Sequence, residues 1–204
     1  MSRLVTFLVT VLAALPGVLI AAGPAAAQVD RSLEMLRESD TGINPRYLLQ
    51  DPNGRSVTSE DFRGHFQLIA FGYTFCPDIC PTTLVEMAGI LKQLGDKAGR
   101  VQAIFISVDP ERDTGQVLKT YTEFFDPRIL GLTGSPALVR RAADNFRIRY
   151  AKVRTPGTDP GSYAIDHSAG LILLGPDGTF IKKFAYATPV AEIAGQVRQV
   201  IDSH

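Results

Sequence analysis

The distribution of apolar and polar residues predicts strands and helices in alternation along most of the chain. Two near-continuous apolar runs, at residues 66–73 and 101–108, are typical of strands that are buried on both faces. Between them, residues 81–95 carry apolar side chains at helical spacing, which predicts a helix. The apolar positions of that helix are Leu84, Met87, Ile90, Leu91 and Leu94.

Capping and turn residues predict the remaining elements. Helix-start signals indicate three further helices, at residues 113–125, 136–147 and 189–203. A strand is expected at residues 148–153, and a loop rich in proline and glycine follows it at residues 154–162.

Two β-hairpins are also predicted. The turn signal at residues 51–54 predicts an N-terminal hairpin, and the signal at residues 175–178 joins strands at 170–174 and 180–184. Together these elements predict an α/β domain in which helices cover both faces of a mixed sheet, with the N-terminal hairpin as an extension. Six aromatic residues are expected in the core: Phe71, Tyr73, Phe105, Phe124, Phe125 and Phe184.

The first residues read as a leader rather than as part of this domain. Arg3 precedes an apolar stretch at residues 4–22, and small residues at 25–27 provide a cleavage site, so residues 1–27 are predicted to be a secretory signal peptide. An uncleaved signal-anchor is the alternative, because the apolar stretch is nearly long enough to cross a bilayer. In either case the domain at 46–204, preceded by an extended arm at 28–45, is expected outside the cytosol.

Composition narrows the possible partners. The 204 residues are 45% hydrophobic and 21% charged, with a formal net charge of zero. A nucleic-acid surface needs a clustered basic excess, which this sequence lacks.

The two cysteines of the chain are the clearest candidate chemistry. Cys76 and Cys80 lie in the run Phe-Cys-Pro-Asp-Ile-Cys-Pro, between the predicted strand at 66–73 and the helix at 81–95. Pro81 suits the first helical position and leaves Cys80 near the N-cap, where the partial positive charge of a helix start favours thiolate. A structural disulfide is the alternative. A bridge that closes so small a loop would constrain the unfolded chain, and so stabilise the folded protein, by only roughly 2 kcal/mol.

Of the three histidines, His167 is the candidate third ligand. His65 begins the central strand at the opposite end of the sheet and is expected to be an exposed turn residue, whereas the terminal His204 is expected to be frayed. If the strand at 170–174 lies antiparallel to the central strand, His167 comes close to the thiols. An ordinary loop histidine, hydrogen-bonded to its neighbours, remains the alternative.

Two thiolates and an imidazole suit copper or zinc. Soft thiolates favour Cu(I), and imidazole binds either metal. Structural zinc usually has four protein ligands, so Asp78 or Asp166 would have to complete a zinc site. The same two aspartates could instead act from outside the ligand set, Asp166 by orienting His167 and Asp78 by tuning the thiols, or could simply cap loops.

Four segments resemble the signatures of one family, the Sco/SenC copper chaperones. They are residues 71–84 around the cysteines, 107–114 (Ser-Val-Asp-Pro-Glu-Arg-Asp-Thr), 131–135 and 166–168 (Asp-His-Ser). The resemblance runs in order from about residue 45 to residue 200. It implies a thioredoxin-like fold and one copper ion, Cu(I) or Cu(II), held by Cys76, Cys80 and His167. In the segment 107–114, Asp113 or Thr114 is expected to cap a helix.

The resemblance also implies a role. The family serves the maturation of the binuclear copper site in subunit II of cytochrome c oxidase, by delivering copper, by reducing the cysteines of that subunit, or both. This implies a periplasmic metallochaperone rather than an enzyme. Its partners would be subunit II or another copper enzyme, an upstream copper donor and a thioredoxin-like reductase.

Two rival interpretations remain. The first is a periplasmic thiol–disulfide oxidoreductase with Cys76 and Cys80 as its redox couple. Thioredoxin-type enzymes carry two residues between their cysteines and a proline before the corresponding strand, whereas this chain has three intervening residues and no such proline. The second rival is a zinc-binding structural domain.

Overall fold

A computed structural model describes residues 42–154 and 163–204. The predicted leader, almost all of the predicted arm and most of the loop at 154–162 lie outside these residues. The described helices are α1 (Ile79–Leu94), α2 (Gly115–Phe125), α3 (Pro136–Asn145) and α4 (Val190–Asp202), with short 3-10 helices at Ser59–Phe62 and Gly95–Arg100. The strands are β1 (Leu48–Gln50), β2 (Ser56–Thr58), β3 (Phe66–Gly72), β4 (Val101–Ser107), β5 (Ile129–Leu132), β6 (Tyr150–Val153), β7 (Ala164–His167), β8 (Leu171–Leu174) and β9 (Phe180–Phe184).

Five of these strands form a mixed central sheet in the order β5-β4-β3-β8-β9. Strand β3 is parallel to β4 and antiparallel to β8, and Ala70 of β3 lies opposite Leu171 of β8. The carboxyl ends of β3 and β4 and the start of β8 therefore meet at one edge of the sheet. The prediction that His167 lies close to the thiols required this antiparallel pairing of β8 with β3. The pairing is confirmed.

The core lies along the central strands because their sequences are apolar on both faces. Every residue of β3 is buried, and six of the seven residues of β4 are buried. Helix α1 buries the apolar face predicted from its spacing and packs against α4. Within residues 42–154 and 163–204, no helix combines the length and the apolar character needed to cross a bilayer.

Two small antiparallel sheets flank the central one. Strands β1 and β2 form the predicted N-terminal hairpin, which joins the rest of the domain through paired backbone hydrogen bonds between Gln50 and Thr133, at 2.6 and 3.0 Å. Strands β6 and β7 form a second pair, in which Tyr150 lies opposite His167.

The structure corrects the predicted start of α1. The helix begins at Ile79 with Asp78 at the N-cap, so Cys80 and Pro81 lie inside its first turn. The backbone N–H groups of a first helical turn have no intrahelical acceptor, so proline at the third position loses no hydrogen bond. That tolerance allows the helix to begin two residues before the predicted first position.

Three further predictions differ from the structure. Phe124 is 83% exposed at the end of α2, where its ring stacks edge-on against Phe125, so its assignment to the core is wrong. His204 is not frayed, because its ring packs edge-on against Phe66 at 5.6 Å between centroids. Strands β5 and β7 were not predicted, since four residues are too few to show a period. His65 is exposed, as expected.

Candidate metal centre

The two cysteines lie where β3 gives way to α1. Cys76 sits on the connecting loop and is half-buried, whereas Cys80 belongs to the first turn of the helix and is 1% exposed. The backbone N–H of Cys80 donates to Sγ of Cys76 at 3.5 Å, and the backbone N–H of Cys76 donates to the carbonyl oxygen of Tyr73 at 3.3 Å. The loop thus turns both sulfur atoms toward the same edge of the sheet.

Gly72, the last residue of β3, makes room for the buried sulfur. A Cβ atom at this position would lie 2.7 Å from Sγ of Cys80 and 2.8 Å from two ring carbons of Phe105. Both distances are shorter than real Cβ contacts, so only glycine leaves space for this packing.

His167 ends β7 and approaches the sulfur pair from the neighbouring segment. Its Nε2 atom lies 3.4 Å from Sγ of Cys80, and its Nδ1 atom lies 3.0 Å from the carbonyl oxygen of Ser168. A carbonyl oxygen only accepts hydrogen bonds, so Nδ1 carries the proton of the neutral ring. Nε2 then offers its lone pair toward the thiols, as a metal ligand requires.

The three predicted ligands come together. One donor atom from each of Cys76, Cys80 and His167 lies within 4.8 Å of the other two, and this is the one such group of potential ligands found among the described residues. Typical metal–ligand distances of about 2.0–2.3 Å mean that the side chains need to close in by less than about 1 Å to hold an ion.

The two candidate aspartates lie outside this group. Asp78 occupies the N-cap of α1 without a side-chain capping bond, and Asp166 is exposed on β7 opposite Ala151. The hydrogen bond that orients His167 is accepted by the backbone carbonyl oxygen of Ser168, a partner that the sequence did not indicate. Any influence of Asp78 or Asp166 on the site stays a prediction.

The two thiols have different electrostatic surroundings. Burial opposes ionisation of Cys76, but the backbone N–H groups of Asp78, Cys80 and Ile79, together with the Cys80 thiol, lower its pKa below the ordinary value. Burial is also the largest influence on Cys80, and there it raises the pKa well above the ordinary value, aided by Cys76 and Asp113. Cys76 is therefore the more acidic thiol of the metal-free site.

Asp113 is a site residue whose role the sequence did not reveal. Its carboxylate is fully buried and accepts hydrogen bonds from the backbone N–H and hydroxyl of Thr74, at 3.0 and 2.6 Å, and from the hydroxyl of Ser107 at 2.6 Å. The predicted cap of α2 is Thr114 instead, whose hydroxyl accepts from the backbone N–H of Val117. The position of Asp113 in the sequence could have indicated this role. Asp113 follows β4 and the thiol loop follows β3, and residues that follow parallel strands meet at the same sheet edge.

Tyr73 links the thiol loop to the segment that carries His167. Its hydroxyl accepts a hydrogen bond from the backbone N–H of Ile165 at 3.1 Å, and its ring packs edge-on against the imidazole of His167 at 5.9 Å between centroids. One buried side chain thus contacts both ligand-bearing segments.

Comparison with known proteins assigns this arrangement to a family. The family model described as SCO1/SenC matches residues 37–202. The chain belongs to the SCO1/SenC family. The prediction made from the four signature segments is confirmed, and so is the thioredoxin-like mixed sheet flanked by helices.

Similar proteins include members from animals and bacteria. The human "Protein SCO2 homolog, mitochondrial" is 38% identical over 174 residues, which cover 84% of this chain and 64% of the human protein. The present chain therefore spans less than two thirds of that relative. The solved structure of Bradyrhizobium japonicum ScoI with copper bound is 41% identical, covers 77% of this chain and 98% of that one, and gives a TM-score of 0.70.

A second similar structure is that of BsSco, described as "a member of the Sco family of cytochrome c oxidase assembly proteins" with a disulfide switch. It is 30% identical, covers 76% of this chain and 90% of that one, and gives a TM-score of 0.57. Copper is thus the metal found in a structure similar to this Sco protein, and the three side chains described here lie close enough to hold a metal ion.

Proposed function

We propose that this Sco protein binds one copper ion through Cys76, Cys80 and His167 outside the cytosol and serves the binuclear copper site of cytochrome c oxidase subunit II. It would do so by delivering the metal, by reducing the cysteines of that subunit, or by both. The observation that carries the proposal is the approach of three soft or borderline donors to within 4.8 Å of one another, in a chain 41% identical to a copper-bound Sco protein.

The donor set favours copper over zinc. Two thiolates suit Cu(I), and the imidazole extends binding to Cu(II). A structural zinc site would need a fourth protein ligand, and neither Asp78 nor Asp166 belongs to the cluster of donors.

The exposure of the donors suits a carrier that must also release its metal. Cys76 and His167 are half-buried, so a partner can approach the ion from the side that they leave open. Cys80 is buried beneath them and stays covered. A thiolate of the receiving protein can then join the copper before these ligands leave it.

The partners and the compartment follow from family membership and from the predicted leader. BsSco is described as belonging to a family of cytochrome c oxidase assembly proteins, which supports an oxidase subunit as the client. The signal peptide predicted at residues 1–27 supports a periplasmic site of action, with membrane attachment if the leader is retained. An upstream copper donor and a thioredoxin-like reductase would load and reduce the protein.

Copper titration of the purified, reduced protein tests the proposed ligand set. We expect one copper per chain, a strong thiolate-to-Cu(II) charge-transfer band, loss of binding in Cys76→Ala and Cys80→Ala, and weakened binding in His167→Ala, which keeps both thiolates. His65→Ala is the matched control, because this exposed histidine begins the central strand at the other end of the sheet. A His167→Ala protein that equals wild type in both oxidation states would show that the ligand set is wrong.

Deletion of the gene tests the client. Oxidase activity under copper limitation should fall, and should return on complementation with His65→Ala but not with His167→Ala. Unchanged oxidase activity in the deletion strain would point to a different copper enzyme.

A thiol–disulfide exchange activity is the second candidate, and the unequal burial of the cysteines favours it. Cys76 is accessible for attack on a disulfide of a client, and Cys80 lies where it can displace the client from the mixed disulfide. The client disulfide is reduced to two thiols while Cys76 and Cys80 are oxidised to a disulfide, which the partner reductase then reduces. Accumulation of a mixed disulfide through Cys76 in Cys80→Ala, detected by mass spectrometry, would support this activity.

A further inference from the structure

Arg112 occupies the junction between the two ligand-bearing segments. Its guanidinium carbon lies 3.7 Å from the ring centroid of Tyr163 and 4.6 Å from that of Phe75. The Tyr73 ring is also near, at 5.8 Å. Phe75 directly precedes the ligand Cys76, and Tyr163 directly precedes β7, which ends at the ligand His167. A single cation therefore contacts aromatic rings from both sides of the site.

Hydrogen bonds fix this guanidinium in place. Its Nε donates to the fully buried carboxylate of Asp109, and its Nη1 donates to the carbonyl oxygen of Tyr163 at 3.1 Å. The hydroxyl of Tyr163 donates to the same Asp109 carboxylate at 2.8 Å. Arg112, Asp109 and Tyr163 thus form a closed set of contacts that ties the start of β7 to the loop after β4.

The geometry of these contacts requires arginine in particular. A planar guanidinium can stack on an aromatic ring while its edge donates to a carboxylate and a carbonyl, whereas an ammonium group provides only a point charge. The Nη2 atom of Arg112 is buried and has no hydrogen-bond partner among the described residues. Stacking against the rings therefore acts together with the hydrogen bonds of Nε and Nη1 at this position.

We propose that Arg112 is a positioning residue for copper binding, which holds the segment of His167 against the loop of Cys76 so that the imidazole stays within reach of the sulfur atoms. This inference rests on the proposed function, because it assumes that His167 is a copper ligand. Arg112 acts through Phe75 and Tyr163 and has no contact with the metal. Its loss frees the imidazole while leaving both thiols in place.

A double-mutant cycle tests this role. Arg112→Ala and Arg112→Lys are each made in the wild-type protein and in His167→Ala, and Cu(I) and Cu(II) affinities are measured by competition. Arg100→Ala is the matched control, because Arg100 also lies over an aromatic ring, that of Phe66, where the central strand begins at the opposite end. Electron paramagnetic resonance of the Cu(II) forms reports directly on the nitrogen ligand.

Loss of Arg112 should affect the imidazole ligand selectively. Arg112→Ala should lower Cu(II) affinity by about tenfold, in the range typical of groups that orient metal ligands. It should also weaken the nitrogen signature and leave the thiolate charge-transfer band in place. Arg112→Lys should fall between Arg112→Ala and wild type, and Arg100→Ala should match wild type. In the His167→Ala background, Arg112→Ala should cause no further loss, because the ligand that it positions is absent.

Several outcomes would overturn the proposal. It fails if Arg112→Ala keeps the affinity and the nitrogen signature of wild type, or if it lowers affinity equally with and without His167. If His167→Ala itself matches wild type, the ligand set fails instead, and the two failures are thus distinguished. Should Arg112→Ala not fold, as judged by circular dichroism, Tyr163→Leu removes the stacked ring and its hydrogen bond to Asp109 while keeping Arg112. The same cycle with His167→Ala then tests the proposal.

Discussion

Gly72 is the residue that most directly determines the packing beneath the thiols. It lies at the carboxyl end of β3, between Sγ of Cys80 and the ring of Phe105 on β4. A methyl group there would have to displace either the sulfur or the ring, and both lie in a close-packed core. The packing of the site therefore requires glycine at this position.

Replacement of Gly72 should damage both stability and copper binding. We expect Gly72→Ala to lower the free energy of unfolding by about 1–3 kcal/mol, because the added carbon overpacks the core. It should also weaken copper binding, because Sγ of Cys80 must move. Urea denaturation and copper competition measure the two effects.

Gly195→Ala is the control for this substitution. A Cβ at Gly195 meets no atom within 4 Å, and the residue lies within α4, where alanine is favoured over glycine by roughly 0.5–1 kcal/mol. If Gly72→Ala proved as stable as Gly195→Ala, the close packing described for Cys80 would be incorrect.

At the residue scale, the sequence indicated the three proposed ligands but not the residues that support them. Cys76, Cys80 and His167 stand out by residue type, because soft and imidazole donors are rare in this chain. Gly72 and Ser168 could not be identified in the same way. The need for glycine arises from a ring on the neighbouring strand, and Ser168 acts through a backbone carbonyl that every residue possesses.

At the scale of secondary-structure elements, Asp113 joins the thiol loop to the end of β4. Its carboxylate accepts from Thr74, two residues before Cys76, and from Ser107, the last residue of β4. A buried carboxylate that accepts three hydrogen bonds fixes the relative position of the two segments. The loop that presents Cys76 is thereby held before any metal binds.

Asp113→Asn should loosen this junction. The amide group places an N–H donor toward the Thr74 hydroxyl, which must reverse its direction to accept, and the remaining oxygen is a neutral acceptor. The charge-assisted hydrogen bonds are therefore lost, at a cost of about 1–3 kcal/mol in unfolding free energy. Copper affinity should fall as well. Thermal denaturation and copper titration measure the two effects.

Asp177→Asn is a closely matched control for that prediction. Asp177 also accepts from the backbone N–H and hydroxyl of a threonine, Thr179, but it is exposed to solvent. Water can replace its lost hydrogen bond, so we expect little change. Equal destabilisation by the two substitutions would contradict the importance assigned here to the burial of Asp113.

The elements themselves were largely predictable, since long apolar runs and capping residues define them. The helices and the long strands β3 and β4 were found at nearly their observed bounds. The exceptions have physical reasons: α1 starts early because its first turn tolerates Pro81, and β7 is a short strand that depends on pairing with β6. Pairing of this kind involves distant residues and leaves no local period in the sequence.

At the scale of the whole molecule, the site joins two separate sheets. The cysteines follow β3 of the central sheet, whereas His167 belongs to the β6–β7 pair. A bound ion therefore adds a connection between parts that are distant in sequence. Any ligand that binds only the folded protein stabilises it, by an amount that grows with the logarithm of its free concentration divided by its dissociation constant.

Copper should therefore raise the melting temperature. At a free concentration about a thousand times the dissociation constant, the gain is about 4 kcal/mol, or roughly 10 °C for a domain of this size. Calorimetry with and without Cu(I) under reducing conditions measures the shift, and a copper chelator should reverse it. His65→Ala should show the full shift and His167→Ala a reduced one. An unchanged melting temperature of the wild type in the presence of copper would show that copper does not bind the folded protein in preference to the unfolded chain.

The sulfur atoms lie at the start of α1, whereas the imidazole lies on β7, so a bound ion can be detected by labels placed outside the site. Fluorophores attached at the exposed positions Val153 of β6 and Val85 of α1 would label the two segments without contact with a proposed ligand. The spread of energy-transfer efficiencies between the dyes should narrow when an ion joins the two segments, and should widen again when the protein gives the ion to a recipient.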